Sequence, residues 1–315
     1  MVLHEDVQLF ALWEALLNRH RRPDLRLVAQ GLSGTAWYLS ALKNRWGYDN
    51  LAIPEKLETA QAWRSFIETN RRLEIFSGFE TEIQAQDVRR LPHGLIGRIC
   101  LEGSDACAGL RAVDLWSLLA RRGNYRQEEE RFFFNQDLIE DYARAAFELG
   151  SQMARQGDRE QSLRYFKRAL LLRPMYPQPA VGLAYDAMEQ GHWADSERWW
   201  RRSLVKTDQM LALAAQYRSL PETVEGIKQQ KAYSLTSLGV ARERQEASLD
   251  EVAGFHRRAA ALDSSSVIAH YNLAATYWRQ KNWAGAYQEF QAVLRLDPHH
   301  AEAKKYLALL TGAPN

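Results

Sequence analysis

The sequence predicts two fold classes in one chain. Residues 1–103 read as a small three-layer α/β domain with a mainly parallel sheet, and residues 138–315 as an all-α array of stacked helical hairpins, an α-solenoid. A linker with a short helix joins them at 104–137. Three observations carry this. Apolar runs of strand length alternate with amphipathic stretches through the first hundred residues. From about Ile139 the apolar period becomes helical, and a pattern of small and aromatic residues returns after 34 residues. The composition, 46% hydrophobic and 25% charged, is that of a chain that buries a core.

The elements follow in order. Val2-Leu3 reads as the tail of a buried strand, and a missing upstream segment is expected to complete its sheet. Gln8 to Arg19 places Leu9, Leu12, Trp13, Leu16 and Leu17 on one helical face. Pro23-Asp24 stops that helix, and Leu25 to Ala29 follows as a strand. Gly31 and Gly34 bracket a turn, after which Ser33 or Thr35 caps a helix bearing Trp37, Leu39 and Leu42. Pro54 opens a helix through Trp63 and Phe66 to about Asn70. Leu73 to Phe76 is a third strand. A short helical or looped piece then leads to a fourth strand, Leu95 to Leu101, behind Pro92-His93-Gly94. Strands separated by helices of about 10–15 residues indicate crossover units and parallel pairing. A short helix at Arg111 to Arg121 and a polar loop at Gly123 to Glu130 form the linker.

Beyond it, Leu149-Gly150, Gly157, Phe166, Ala169 and Pro174 are matched 34 residues later by Leu183-Ala184, Gly191, Trp200, Ser203 and Asp208. The pattern returns as Leu273-Ala274, Tyr277, Ala286, Phe290 and Pro298, with a weaker copy at Leu238-Gly239, Phe255 and Ala259. A small residue lets the first helix of a pair approach the second, an aromatic on the second fills the gap, and a proline ends it. These positions and this period resemble tetratricopeptide repeats, near 143–176, 177–210, 233–266 and 267–300. An irregular helical insert occupies 211–232, and 301–311 is a terminal helix covering the last repeat. In such repeats the first helix of each pair lines a peptide-binding groove. The resemblance therefore implies groove residues Phe147 and Arg155, then Tyr185, Met188 and Glu189, then Tyr271, Trp278 and Arg279. Trp193, Trp199 and Trp200 fall on or at the entry of a second helix, where Trp200 is expected in the core.

The first domain also resembles a known family. Arg22-Pro23-Asp24-Leu25-Arg26-Leu27-Val28, then Trp37-Tyr38 and Leu42-Lys43, then Pro92-His93-Gly94-Leu95-Ile96-Gly97-Arg98-Ile99 stand in the order seen in bacterial polytopic membrane proteins. Those proteins are similar to GT-C glycosyltransferases of the protein-O-mannosyltransferase-like kind, and tetratricopeptide repeats often follow there. The resemblance covers residues 1 to 101. This chain has His4-Glu5-Asp6-Val7 where the family has a Gly-Asp-Asn-Asp-like turn. The family's catalytic acids lie among membrane spans. The resemblance thus implies a non-catalytic, extracytoplasmic C-terminal part of an enzyme that uses a lipid-linked sugar. Its contact with the membrane would run only through a missing upstream segment.

Other features narrow the class. The net charge is +2, from 41 basic and 39 acidic residues, and predicts no nucleic-acid partner. Paired basic residues such as Arg121-Arg122 and Arg201-Arg202 read as solvated helix faces. No run approaches the ~18 apolar residues of a membrane span. Cys100 and Cys107 are too few for a zinc site. They read as two partly buried thiols in preference to a small disulfide loop, which needs an oxidising compartment. No metal, cofactor or catalytic constellation is predicted. His4, Glu5 and Asp6, with Ser33 and Ser77, sit at the carboxyl ends of likely parallel strands, where ligands bind in open sheets. Polar residues there also serve as helix caps. Three functions follow: the extracytoplasmic protein-binding part just described, a free-standing cytoplasmic scaffold, or an enzyme with its site on the sheet edge.

Overall fold

The computed structural model describes residues 1–4, 12, 24–54, 56–108, 110–113 and 133–312, with side chains from 139 onward in the last stretch. Apart from Leu12 and residues 111–113, the expected helices at 8–19 and 111–121 lie outside the described residues, as do Glu5 and Asp6. The chain forms two compact units, Met1–Pro174 and Met175–Asn315. Its described residues are mostly helical, with one small mixed sheet.

The first unit carries strands β1 (Val2–Leu3), β2 (Val28–Ala29), β3 (Ile75–Ser77), β4 (Val88–His93) and β5 (Ile96–Leu101), in the order β2-β1-β3-β5-β4. Among the described strands, β1 pairs in parallel with β2 and with β3, β3–β5 and β5–β4 are antiparallel, and His93 of β4 makes an isolated parallel bridge to Val113. The sheet is therefore mixed, against the mainly parallel one expected. The difference lies in β4, where a helical or looped piece was expected. Val-Arg-Arg-Leu-Pro-His has an edge strand's composition, and Pro92, which has no N–H to donate, is tolerated because β4 lies at the edge. The two residues between β4 and β5 are Gly94 and Leu95, and Gly94 takes the positive φ of 70° that such a tight hairpin needs.

Consecutive strand residues face opposite ways. Val2 and Val28 join Ile75 and Ile99 against Trp63 and Phe66 of α2 (Ala60–Thr69). Leu3 and Ala29 meet Tyr38 and Leu42 of α1 (Ala36–Asn44) in a separate cluster. Helix α2 begins after Thr59, whose hydroxyl accepts from the Ala62 N–H at 3.1 Å, and not at Pro54 as expected. Residues 51–54 instead belong to no helix or strand, and Ala52 bonds the Asn70 side chain at both its N–H and its C=O.

The same unit holds the first helical hairpin, α3 (Phe133–Arg155) and α4 (Arg159–Leu172), with Asp158 capping α4. Helix α3 lies against β4. There Arg144 faces Glu80 at 3.8 Å, and the largely buried Arg90 guanidinium donates to the carbonyls of Phe79 and Thr81. Burial pushes the Arg90 pKa down and that of Glu148 up.

The second unit is three hairpins and a closing helix: α5 (Pro177–Glu189) with α6 (Trp193–Gln216), α7 (Pro221–Glu243) with α8 (Leu249–Leu262), α9 (Val267–Arg279) with α10 (Trp283–Leu296), then α11 (Ala301–Thr311). Residues 211–232 continue α6 and α7, which run to 24 and 23 residues against 14 in α8 and 13 in α9. The chain reverses between them at Tyr217–Leu220, with Arg218 at a φ of 50°. The small-to-aromatic contact recurs along the chain. A Cβ on Gly150 would stand 2.9 Å from the Phe166 ring, and Ala184 and Ala274 accompany the buried Trp200 and Phe290. In the third hairpin the partner of Gly239 is His256, whose ring would lie 2.5 Å from a Cβ there. Phe255, expected in that role, instead joins Leu204 and Ala232. The shift arises in the turn between α7 and α8. It is five residues long where the turns after α3, α5 and α9 have three, and α7 ends one residue sooner past its small residue than they do, so α8 enters one residue late.

Candidate functional site

The carboxyl edge of the parallel strands brings His4, Ser33 and Ser77 to one end of the sheet, but the two serine hydroxyls are buried. His4 is exposed, and its Nδ1 lies 3.2 Å from Gln30 Oε1. The Ser33 hydroxyl donates to the Gln30 carbonyl at 2.6 Å and accepts from the Leu57 N–H at 3.0 Å. It does not cap α1. Thr35 holds the N-cap position, with its own hydroxyl turned back to the Leu32 carbonyl. Ser77 is fully buried, and its hydroxyl has no partner. The Gln30 amide closes the edge by donating to the carbonyls of Leu57 (2.8 Å) and Glu82 (2.9 Å). Gln30 and Ser33 thus fasten loops over the strand ends, and of the described residues expected at this edge His4 is the exposed one. Two clefts of the sheet lie elsewhere. One of about 270 Å³ is bordered by Arg26, Arg72 and Glu74. Another of about 360 Å³ has Ile67, Ile75 and Ile99 as its apolar floor and Cys100 and Ser104 in its wall. Cys100 and Cys107 form a disulfide, with Cα atoms 5.6 Å apart, which corrects the expectation of two thiols. Among the described residues no cluster of three His, Cys, Asp or Glu could hold a metal ion, and no helix is long and apolar enough to cross a membrane.

The helical arrays place the other expected residues on the first helices of their hairpins. In the first unit, Phe147 packs its ring 5.8 Å from Phe166, and Arg155 is exposed with its guanidinium on Gln152 Oε1. In the second unit, Tyr185 on α5 is 40% exposed. Its ring stands edge-on to the buried Trp200 at 5.5 Å and lies 6.1 Å from Tyr233 on α7. Burial raises the Tyr185 phenol pKa above its ordinary value. Met188 is half-buried beside this cluster, and Glu189 is exposed.

On α9 the expected residues are differently employed. Tyr271 stacks on His300 at 4.9 Å, and Trp278 meets Trp283 at 5.2 Å and Tyr306 at 4.9 Å. Both are half-buried in the cluster that α11 closes. Arg279 is exposed and paired with Glu243 of α7. The first-helix face of the second unit therefore presents one aromatic anchor to solvent, Tyr185, flanked by Tyr233, Met188 and Glu189. Two contributors escaped the sequence reading, Tyr233 and the exposed Ile268. Each stands six residues before the small residue of its helix (Gly239 and Ala274), a spacing that would have found them.

The tetratricopeptide repeat family model matches residues 267–300, the α9–α10 hairpin and the turn after it. The chain carries that repeat. No curated protein is significantly similar to it in sequence. Among solved structures, the crystal structure of the MamA protein is 16% identical and covers 54% of this chain and 81% of its own, with a TM-score of 0.42. The assembly chaperone of RpL4, Acl4, is 16% identical over 54% of this chain and 70% of its own, at 0.44. Cut9–Hcn1 of the APC/C is 15% identical over 56% of this chain and 37% of its own, at 0.32. Scores this low carry no argument about the function of this chain.

Proposed function

We propose that this chain is a non-catalytic protein-binding scaffold that takes a peptide segment of its partner on the first-helix face of the second unit. The observation that carries the reading is Tyr185. Its ring is held by Trp200 and Tyr233 on two neighbouring helices, yet two-fifths of its surface faces solvent. An aromatic fixed before binding loses little entropy when a partner covers it, which is what interface anchors require. Met188 supplies apolar surface beside it, Ile268 is a further exposed apolar residue on the first helix α9, and Glu189 supplies a charge. The setting we propose is extracytoplasmic. What supports it is the Cys100–Cys107 bridge, a bond that persists in oxidising compartments. Descent from a membrane glycosyltransferase rests on the sequence resemblance of residues 1–101 alone.

The test is a peptide selection from a displayed random library on the full chain. Selected peptides should bind the Tyr185→Ala protein about 30-fold more weakly, the scale of losing about 2 kcal/mol, with the melting temperature little changed. Equal affinity for both proteins would remove Tyr185 and this face from the binding surface.

A further inference from the structure

The greatest apolar exposure of the second unit lies away from the first-helix face, at the far end of the long α6–α7 hairpin. Tyr217 is 72% exposed, Leu220 65% and Leu213 46%. From Trp193 to Glu243 this hairpin carries eight Arg or Lys against six Asp or Glu, and Arg198 and Arg201 are paired with Asp195 and Glu197. The ion pairs leave this excess on the surface. Asp208 is taken by Lys231 and Glu225 by Lys228, while Arg202, Lys206 and Arg218 have no carboxylate partner among the described residues. Arg202 lies over the Trp199 ring at 5.6 Å, and Lys206 reaches Gln209 at 3.4 Å. Glu222 is the unpaired acid of the tip.

We infer that this tip docks on the surface of an anionic lipid bilayer, with Leu213, Tyr217 and Leu220 entering the headgroup boundary and Arg202, Lys206 and Arg218 facing the lipid charge. The apolar side chains project from a place where two helices end and reverse. A projecting end offers no groove to wrap a peptide, whereas a bilayer interface yields around it. Tyrosine and leucine beside arginine and lysine suit that boundary, where each nearby cation adds to the attraction of anionic lipid. The contact is made by this chain's own residues and needs no preceding segment.

The experiment is co-sedimentation of the full chain with vesicles of phosphatidylcholine, with and without phosphatidylglycerol. The chain should bind the anionic vesicles at least roughly ten-fold more tightly than the neutral ones, and lose that preference in high salt. L213S/Y217S/L220S and R202S/K206S/R218S should each reduce binding roughly ten-fold or more, with circular dichroism unchanged because five of the six positions are exposed and the sixth, Lys206, is half-buried. As a separate readout, an environment-sensitive dye on Leu213→Cys should shift to the blue on anionic vesicles. Equal binding to both vesicle types, or binding that survives both triple substitutions with no dye shift, overturns the proposal. Loss of self-association in L213S/Y217S/L220S with vesicle binding intact also overturns it, and assigns the tip to a second copy of the chain.

Discussion

His256 shows how one side chain converts a packing role into a pH dependence. It occupies the place that Phe166, Trp200 and Phe290 fill in the other hairpins, but its Nδ1 is buried without a partner. Burial pushes its pKa from the ordinary 6.5 down to about 4. The fold holds the ring neutral, whereas the unfolded chain takes a proton near 6.5. Stability contributed here is complete above pH 6.5 and declines as pH falls toward 4, by about 3 kcal/mol across the window. Denaturant melts between pH 7 and 4 should record that loss, and His256→Phe should flatten the curve. Acid sensitivity that persists undiminished after the substitution would place the dependence elsewhere. Tyr185 and Trp278 make a second contrast. Both are aromatics on first helices, but Trp278 packs under Tyr306 whereas Tyr185 reaches solvent. Trp278→Ala should lower stability by about 2 kcal/mol, as partial loss of a packed aromatic does. The sequence assigned both to the groove because helical position sets a direction, and only the neighbour decides whether that direction ends in water.

At the scale of elements, α11 closes the array. Tyr306 stacks on Phe290 at 4.9 Å and covers the aromatic cluster of α9 and α10. A chain ending at His300 should expose Tyr271, Trp278 and Phe290, melt at lower temperature and bind hydrophobic dyes, since an uncapped repeat presents its core to water. An unchanged melt would show that α11 contributes nothing. The helix starts were partly legible. Asp158, Ser248, Ser266 and Asn282 each accept from a backbone N–H of their helix, and Asp158→Ala should cost about 1 kcal/mol in the first unit. Proline often opens a helix, so the sequence places the start of α2 at Pro54, but Pro54 lies outside any helix and Thr59 makes the cap. Strand β4 was missed because edge strands carry charge and proline, which by themselves read as loop.

For the whole molecule, two compact units and one disulfide give a stability experiment with separable readouts. The bridge closes a short loop in the first unit, and its removal should cost that unit about 2–3 kcal/mol through loop entropy in the unfolded chain. Calorimetry with and without reductant should show one transition moving down and another, that of the second unit, staying fixed. Movement of both together would show that the units melt as one. The sequence by itself determined the helical hairpins and their period, because a small residue must face an aromatic wherever two helices touch. It also determined the three strands that run in parallel, because continuous apolar runs between helices have few other uses. Tertiary structure alone decided the antiparallel half of the sheet, the substitution of His256 for Phe255, the bridge between Cys100 and Cys107, and which groove aromatics remain free. Each of these depends on which residues meet across space, and a one-residue longer path or one covering helix changes that without leaving a mark in local composition.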